Sequence, residues 1–195
     1  MSDEPTRGER NNNPGNINFT PSVQYVGQLG IEIVPPGEHY APRFARFDTP
    51  QNGLRALCVL LKVYYQRHGL HTVAGIITRW APASDHNPTR AYTGDVAKEM
   101  GVAPDAVILL SQPDVMASMA TAIVRQENDR VIYPAAMIHA AAENALGTTT
   151  PEAPRSVALP PLPEPHAAIV EQALAEPAPS LWQRFTNTLS KWRSS

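Results

Sequence analysis

Apolar positions along most of the chain recur at helical spacing. Leu54, Leu57, Cys58, Leu61 and Tyr65 share one face, and Gly69 follows. This predicts a helix to about Arg67, with Asp48 or Thr49 as N-cap and Pro50 in its first turn. A second helix is expected from about Thr72 to Trp80, stopped by Ala81-Pro82, and a third from Thr89 to Met100, with Gly101 at its end. Met116, Met119, Ala120 and Ile123 form the stripe of a fourth, starting at Ser111 or Asp114. A fifth covers about Pro134 to Leu146. Residues 17–34, β-branched and aromatic with Gly27 and Gly30, predict a small hairpin or irregular strands, and Arg43–Phe47 alternates as a short strand would. Helices with one small β element near the front suit an α+β, mostly helical domain over residues 1–147.

Beyond Gly147 the pattern changes. Residues 148–179 are rich in Pro, Ala and Glu, with Pro160-Pro161-Leu162-Pro163, and read as an extended linker. In residues 180–195, Trp182, Phe185, Leu189 and Trp192 alternate spacings of three and four, beside Arg184, Lys191 and Arg193. That predicts a short amphipathic tail helix. It would fold back on the domain, dock on another protein or lie on a membrane surface.

Composition removes several functions. The net charge of −2 gives no electrostatic case for a nucleic-acid partner. The single cysteine, Cys58, cannot form an internal disulfide, and its apolar helical setting points to core packing. Six histidines lie at no metal-ligand spacing, so neither a metal nor another cofactor is expected. The polar, acidic start Met1-Ser2-Asp3-Glu4-Pro5 is unlike a signal peptide, and no stretch approaches the roughly 18 apolar residues of a membrane span. Synthesis in a cytoplasm is expected.

The segment Glu9-Arg10-Asn11-Asn12-Asn13-Pro14-Gly15-Asn16-Ile17 favours turns, because asparagine competes for backbone hydrogen bonds and Pro-Gly punctuates them. A loop this dense in amides suits a neutral, hydroxyl-rich ligand such as a cell-wall glycan. It also suits a plain surface turn. From Arg10 to Ile17 it resembles the opening motif of phage virion-associated peptidoglycan hydrolases, a lytic-transglycosylase-like family often described as phage structural proteins. Four further blocks follow in the family's order: Phe44–Leu57, His71–Pro82, Asn87–Tyr92 and Ala122–Asn128. The resemblance spans roughly residues 7 to 140. It implies a lysozyme-like domain over residues 1–147, bacterial peptidoglycan as the partner, synthesis in a host cytoplasm followed by association with a virion or delivery to the periplasm, and a role in penetrating the host or in host lysis.

Glu127 is the first candidate for the catalytic acid. It continues the apolar stripe four residues beyond Ile123, where partial desolvation raises a carboxyl pKa. A glycosidase acid needs that property. Ile123–Glu127 also resembles the helix end carrying the single catalytic Glu of lytic transglycosylases. Against this, Glu127 would be a solvated helix end paired with Arg130. Asp129 stands where the family commonly has Gly, which puts the turn after the helix in question. Glu9, where the family more often has an aliphatic residue, is the runner-up acid.

Hydrolysis by two carboxylates needs a partner about 5–10 Å away. A lytic transglycosylase needs one, and that fits better here. Arg10, Asn11, Asn12, Asn13 and Asn16 are candidate glycan contacts, and Trp80 and Tyr92 candidate stacking surfaces. Core packing at a helix end is the alternative for both rings. The competing function is a non-enzymatic virion structural or wall-binding protein on the same fold.

Overall fold

Glycine inside a helix normally weakens it, yet Gly53 sits in the first turn of the longest helix of this protein. The computed structural model, which describes residues 4–85 and 87–148, gives the reason. A Cβ at Gly53 would collide with the Asn12 carbonyl and press on Pro14. The asparagine loop lies directly on the helix.

That loop follows a short helix, α1 (Arg7–Arg10), where a polar lead and turn were expected. A capping box makes the helix. Thr6 accepts from the Glu9 amide and Glu9 from the Thr6 amide, the Thr-x-x-Glu signature of a helix start. Two strands follow, β1 (Gln28–Ile31) and β2 (Ala45–Phe47). They pair antiparallel with Gln28 opposite Phe47 and Ile31 opposite Ala45, with a bulge near Gly30. The β element is therefore not a hairpin within residues 17–34. Its second strand comes from Arg43–Phe47, and an isolated bridge joins Asn18 to Phe44.

Five helices complete the described part: α2 (Pro50–His68), α3 (Val73–Trp80), α4 (Thr89–Glu99), α5 (Pro113–Asn128) and α6 (Ala135–Leu146). A turn of 3-10 helix, Ala83–Asp85, lies between α3 and α4. Thr49 caps α2 and Thr72 caps α3 through side-chain oxygens. Asp48 instead accepts from the Asn52 side chain. Helix α5 starts at Pro113 without a side-chain cap.

The fold is α+β, about half helical among the described residues, with a small two-stranded sheet. Helix α2 packs against α6, α5 and α3. Leu54, Leu57, Cys58 and Leu61 meet Met116, Met119, Ala120 and Ile123 of α5 in one core. Cys58 is wholly buried, and burial pushes its thiol up to about 12. Lys62 of α2 donates to the Ala145 carbonyl at the end of α6, meeting the negative end of that helix dipole. The loop after α4 is tied to the start of α3 by Ile108 N–H to His71 O and by a Thr72–Val107 bridge. The linker at 149–179 and the tail with Trp182, Phe185, Leu189 and Trp192 lie outside the described residues. Among the described residues no helix is long and apolar enough to cross a membrane.

Two electrostatic anchors hold the β element and α1 to the helices. Glu32 is buried, and its side chain takes five donors: Arg7 Nε and Nη2, Asn11 Nδ2, and the backbone amides of Arg43 and Phe44. Burial alone would raise its pKa, but the Arg7 guanidinium and the two amides outweigh that and leave it lowered. Arg7 also stacks over Tyr40 and Phe44, 4.0 and 4.4 Å from their ring centres. Glu9 takes Arg130 Nε at 2.8 Å and Nη2 at 2.6 Å. The Arg130 hydrogen bonds lead in holding its pKa down, against desolvation.

Two stability outcomes follow. Gly53→Ala should lower the unfolding free energy by about 2 kcal/mol or more, because the collision is with backbone. Glu32→Gln strands Arg7 in a half-buried site and should cost about 3–5 kcal/mol. Urea unfolding at neutral pH measures both.

Candidate functional site

Glu127 lies in the last turn of α5, with α3, α4 and the asparagine loop around its carboxylate. Tyr92 of α4 donates its hydroxyl to Oε1 at 2.9 Å, and Trp80 at the end of α3 donates Nε1 to the same oxygen at 3.2 Å. Asn16 donates Nδ2 to Oε2 at 3.0 Å. Three elements far apart in sequence therefore aim neutral donors at one carboxyl group.

Desolvation is the largest influence on Glu127 and raises its pKa above the ordinary 4.5. The three donors and the charge of Arg43 pull the other way without cancelling it. The hydroxyl of Tyr92 is likewise pushed well up, first by burial and then by Glu127. Among the described residues no carboxylate is hydrogen-bonded to Glu127. Arg130, the partner weighed for it, pairs with Glu9.

The helix end is held by the next residue. Asn128 is buried; its Nδ2 donates to Pro14 O at 2.7 Å and to Val124 O at 2.9 Å, and its Oδ1 accepts from the Thr6 hydroxyl. Asp129 then takes a left-handed conformation, φ +57°, and ends the helix. Asp is among the few non-glycine residues that tolerate this. The turn in question thus forms without glycine.

Most of the asparagine loop serves itself. Asn13 is wholly buried, donates to Ile17 O and Ala45 O, and accepts from the Ile17 amide. Asn11 donates to Arg7 O and Glu32, and Asn12 to the carbonyls of Phe47 and Asp48. Asn12 and Asn16 both have positive φ, +50° and +48°, which Asn accommodates. Arg10 is exposed and donates to Pro5 O. Of the loop's candidate glycan contacts, Asn16 joins Glu127, while Asn11, Asn12 and Asn13 are turned inward. Glu9 is committed to Arg130, and its hydrogen bonds leave it a structural anchor. Gly15 explains how the loop comes so close: a Cβ there would press Leu57 and the far edge of the Trp80 ring. Trp80 also meets Tyr64 edge to face, with ring centres 6.5 Å apart.

Sequence reasoning missed Glu32, Asn128 and Arg43. Asn128 ends a quoted motif and Arg43 immediately precedes one, but their roles depend on contacts to residues distant in sequence, Pro14 and Thr6 for Asn128 and Asp85 for Arg43. Among the described residues no three His, Cys, Asp or Glu side chains gather as a metal site would need. An apolar cavity of about 350 Å³, lined by Met100, Val102, Leu109 and Val115 among others, lies elsewhere. No residue bonded to Glu127 lines it.

No protein-family profile matches the chain. It is similar to Protein P5 of Pseudoalteromonas phage PM2, 37% identical over 101 residues, which is 51% of this chain. This protein has a bacteriophage relative. The match spans 58% of the relative's own length.

The pH dependence follows from opposite shifts. Folded Glu127 keeps its proton above pH 4.5, where an unfolded Glu releases it. The folded state then binds more protons, and stability falls as pH rises through that window. Glu9 and Glu32, held low, act in reverse and lose stability as pH drops below 4.5. Glu127→Gln should flatten the decline above pH 4.5 and leave the acid-side loss intact. Urea midpoints measured across pH 3 to 8 test this; an unchanged slope above 4.5 would exclude Glu127 as its source.

Proposed function

We propose that this protein cleaves the glycan strands of peptidoglycan by a lytic-transglycosylase-type reaction, on a lysozyme-like domain, with Glu127 as the sole acid/base. The observation that carries the reading is the Glu127 carboxyl: desolvated, raised in pKa, and fixed by Asn16, Trp80 and Tyr92 with no cation bonded to it. Protonated, it gives its proton to the glycosidic oxygen, and the bond to the anomeric carbon breaks. The substrate's own acetamido oxygen bonds to that carbon. The C6 hydroxyl of the same muramyl sugar then attacks the carbon, the acetamido oxygen leaves, and the hydroxyl proton passes to the Glu127 carboxylate. A 1,6-anhydro sugar results, no water is used, and the acid is restored.

Neutral donors suit both halves of that cycle. A salt bridge would hold the proton off, whereas hydrogen bonds from Tyr92 and Trp80 steady the anion without abolishing its basicity. Trp80 offers its indole face, and Asn16 an amide, to the sugar next to the broken bond. The phage relative supports a phage setting, and we read the protein as virion-associated, acting in host penetration or lysis. Through the tail at Trp182, Phe185, Leu189 and Trp192, a virion protein or membrane surface would be its tether.

The competing reading is a wall-binding or structural phage protein. It draws on the same carboxylate: both oxygens of Glu127 are internally bonded, as in a purely structural network. Digestion of purified sacculi with mass spectrometry of the products separates the two. Anhydro-muropeptides are expected from the wild type, with the rate reduced at least about 10²–10⁴-fold by Glu127→Gln. Products with one added water would instead mean hydrolysis, and cosedimentation with sacculi without products would leave binding alone. Tyr92→Phe removes one donor that holds the Glu127 pKa down, so the alkaline limb of the pH–rate profile should move upward. A limb that stays put or moves down would remove Glu127 as the titrating acid.

A further inference from the structure

Two side chains bridge the same pair of segments. Glu127 is bonded by Asn16 on one side and Trp80 on the other. Arg43 donates Nε to Asn18 Oδ1 at 2.7 Å and Nη2 to Asp85 Oδ2 at 3.3 Å. Asn18 is two residues past Asn16, and Asp85 five past Trp80. The Arg43 side chain is 51% exposed and that of Asp85 36%, so this second bridge runs on the solvent side of the first. Arg43 is also close enough for its charge to act on Glu127.

We propose that Arg43 is an anion subsite that receives a carboxylate of the peptide stem carried by the glycan, exchanging Asp85 for it. The identity of that ligand rests on the peptidoglycan reading above. Four features favour the exchange. The Asp85 contact is a single long hydrogen bond, and exposed pairs of this kind contribute little to stability. Nε is fixed by Asn18 and the guanidinium lies 5.8 Å from the Phe44 ring, so the fork is oriented before the ligand comes. Nη1 makes no hydrogen bond among the described residues, leaving room for the two-point grip that a guanidinium gives a carboxylate. The backbone under Arg43 is itself fixed, its amide bonded to Glu32 at 2.7 Å. Asp85 then acts as a stand-in for the substrate acid, holding the arginine until displaced. A neutral glycan without stem carboxylates gains nothing from this subsite, so Arg43 would select among glycans that fit the same floor.

Titration calorimetry on the full chain carrying Glu127→Gln tests it, because that variant leaves the ligand uncut under the proposed mechanism. The probes are a two-disaccharide muropeptide with free stem carboxylates and the same compound with those carboxylates amidated. The free acid is expected to bind about tenfold tighter, a charge-assisted pair's worth of affinity. Adding Arg43→Ala should erase that preference, and adding Asp85→Asn should enlarge it a few fold by removing the competitor. A preference that survives Arg43→Ala, no preference in the parent, or no binding of either probe would overturn the subsite. Sacculus digestion by the wild type runs alongside. No digestion together with an Arg43-dependent preference would sink the enzyme reading and leave the subsite standing.

Discussion

The arrangement of the site depends on one amide, that of Asn128. Its nitrogen ties the last turn of α5 to the Pro14 carbonyl, and its oxygen takes the Thr6 hydroxyl. A helix end ordinarily frays, with carbonyls lacking intrahelical partners. Here the end is bonded into the loop that precedes the first strand, and Asp129 turns the chain away in a left-handed conformation. The neighbouring Glu127 inherits that rigidity. Asn16 reaches it because Pro14 is fixed, and Pro14 is fixed because Gly53 and Gly15 let the loop settle on α2 and Trp80.

Three buried or half-buried carboxylates divide the work by environment. Glu32 and Glu9 each face a guanidinium in bidentate contact, stay ionised, and join α1 to the sheet and to the segment after α5. Glu127 faces only neutral donors and is left with a raised pKa. The difference is chemical and not one of depth alone: charge-assisted bonds favour the anion far more than phenol, indole and amide do. A chain that needs rigid walls and one protonatable group can obtain both from the same residue type by placing arginines beside two and withholding them from the third.

Arg43 fits this division as a cation whose charge reaches Glu127 without bonding it. It stands on the β side and touches the 3-10 turn after α3. The segment leading into β2 therefore contributes more than packing: it carries a charge that acts on Glu127, while the helices carry Glu127, Trp80 and Tyr92.

Much of the fold was legible in the sequence because its signals are local. The 3.6-residue stripes of α2 and α5, the Thr49 and Thr72 caps, and the Gly69 stop act over one or two turns. The same holds for Glu127 at the inner edge of its stripe. Helix α1 was equally local, its Thr6–Glu9 box being written in four residues, but the run of asparagines after it hid the signal. What only the tertiary structure decided is the use of each polar side chain. Nothing in Asn11-Asn12-Asn13-Pro14-Gly15-Asn16 says that three amides bond backbone and one reaches Glu127. Nor does spacing reveal that Arg130 serves Glu9, that Glu32 gathers five donors, or that Arg43 crosses to Asp85. Apolar periodicity needs only burial, which is non-directional and repeats with the helix. A hydrogen bond needs a partner at one distance and angle, and the chain supplies that partner only after distant segments have packed.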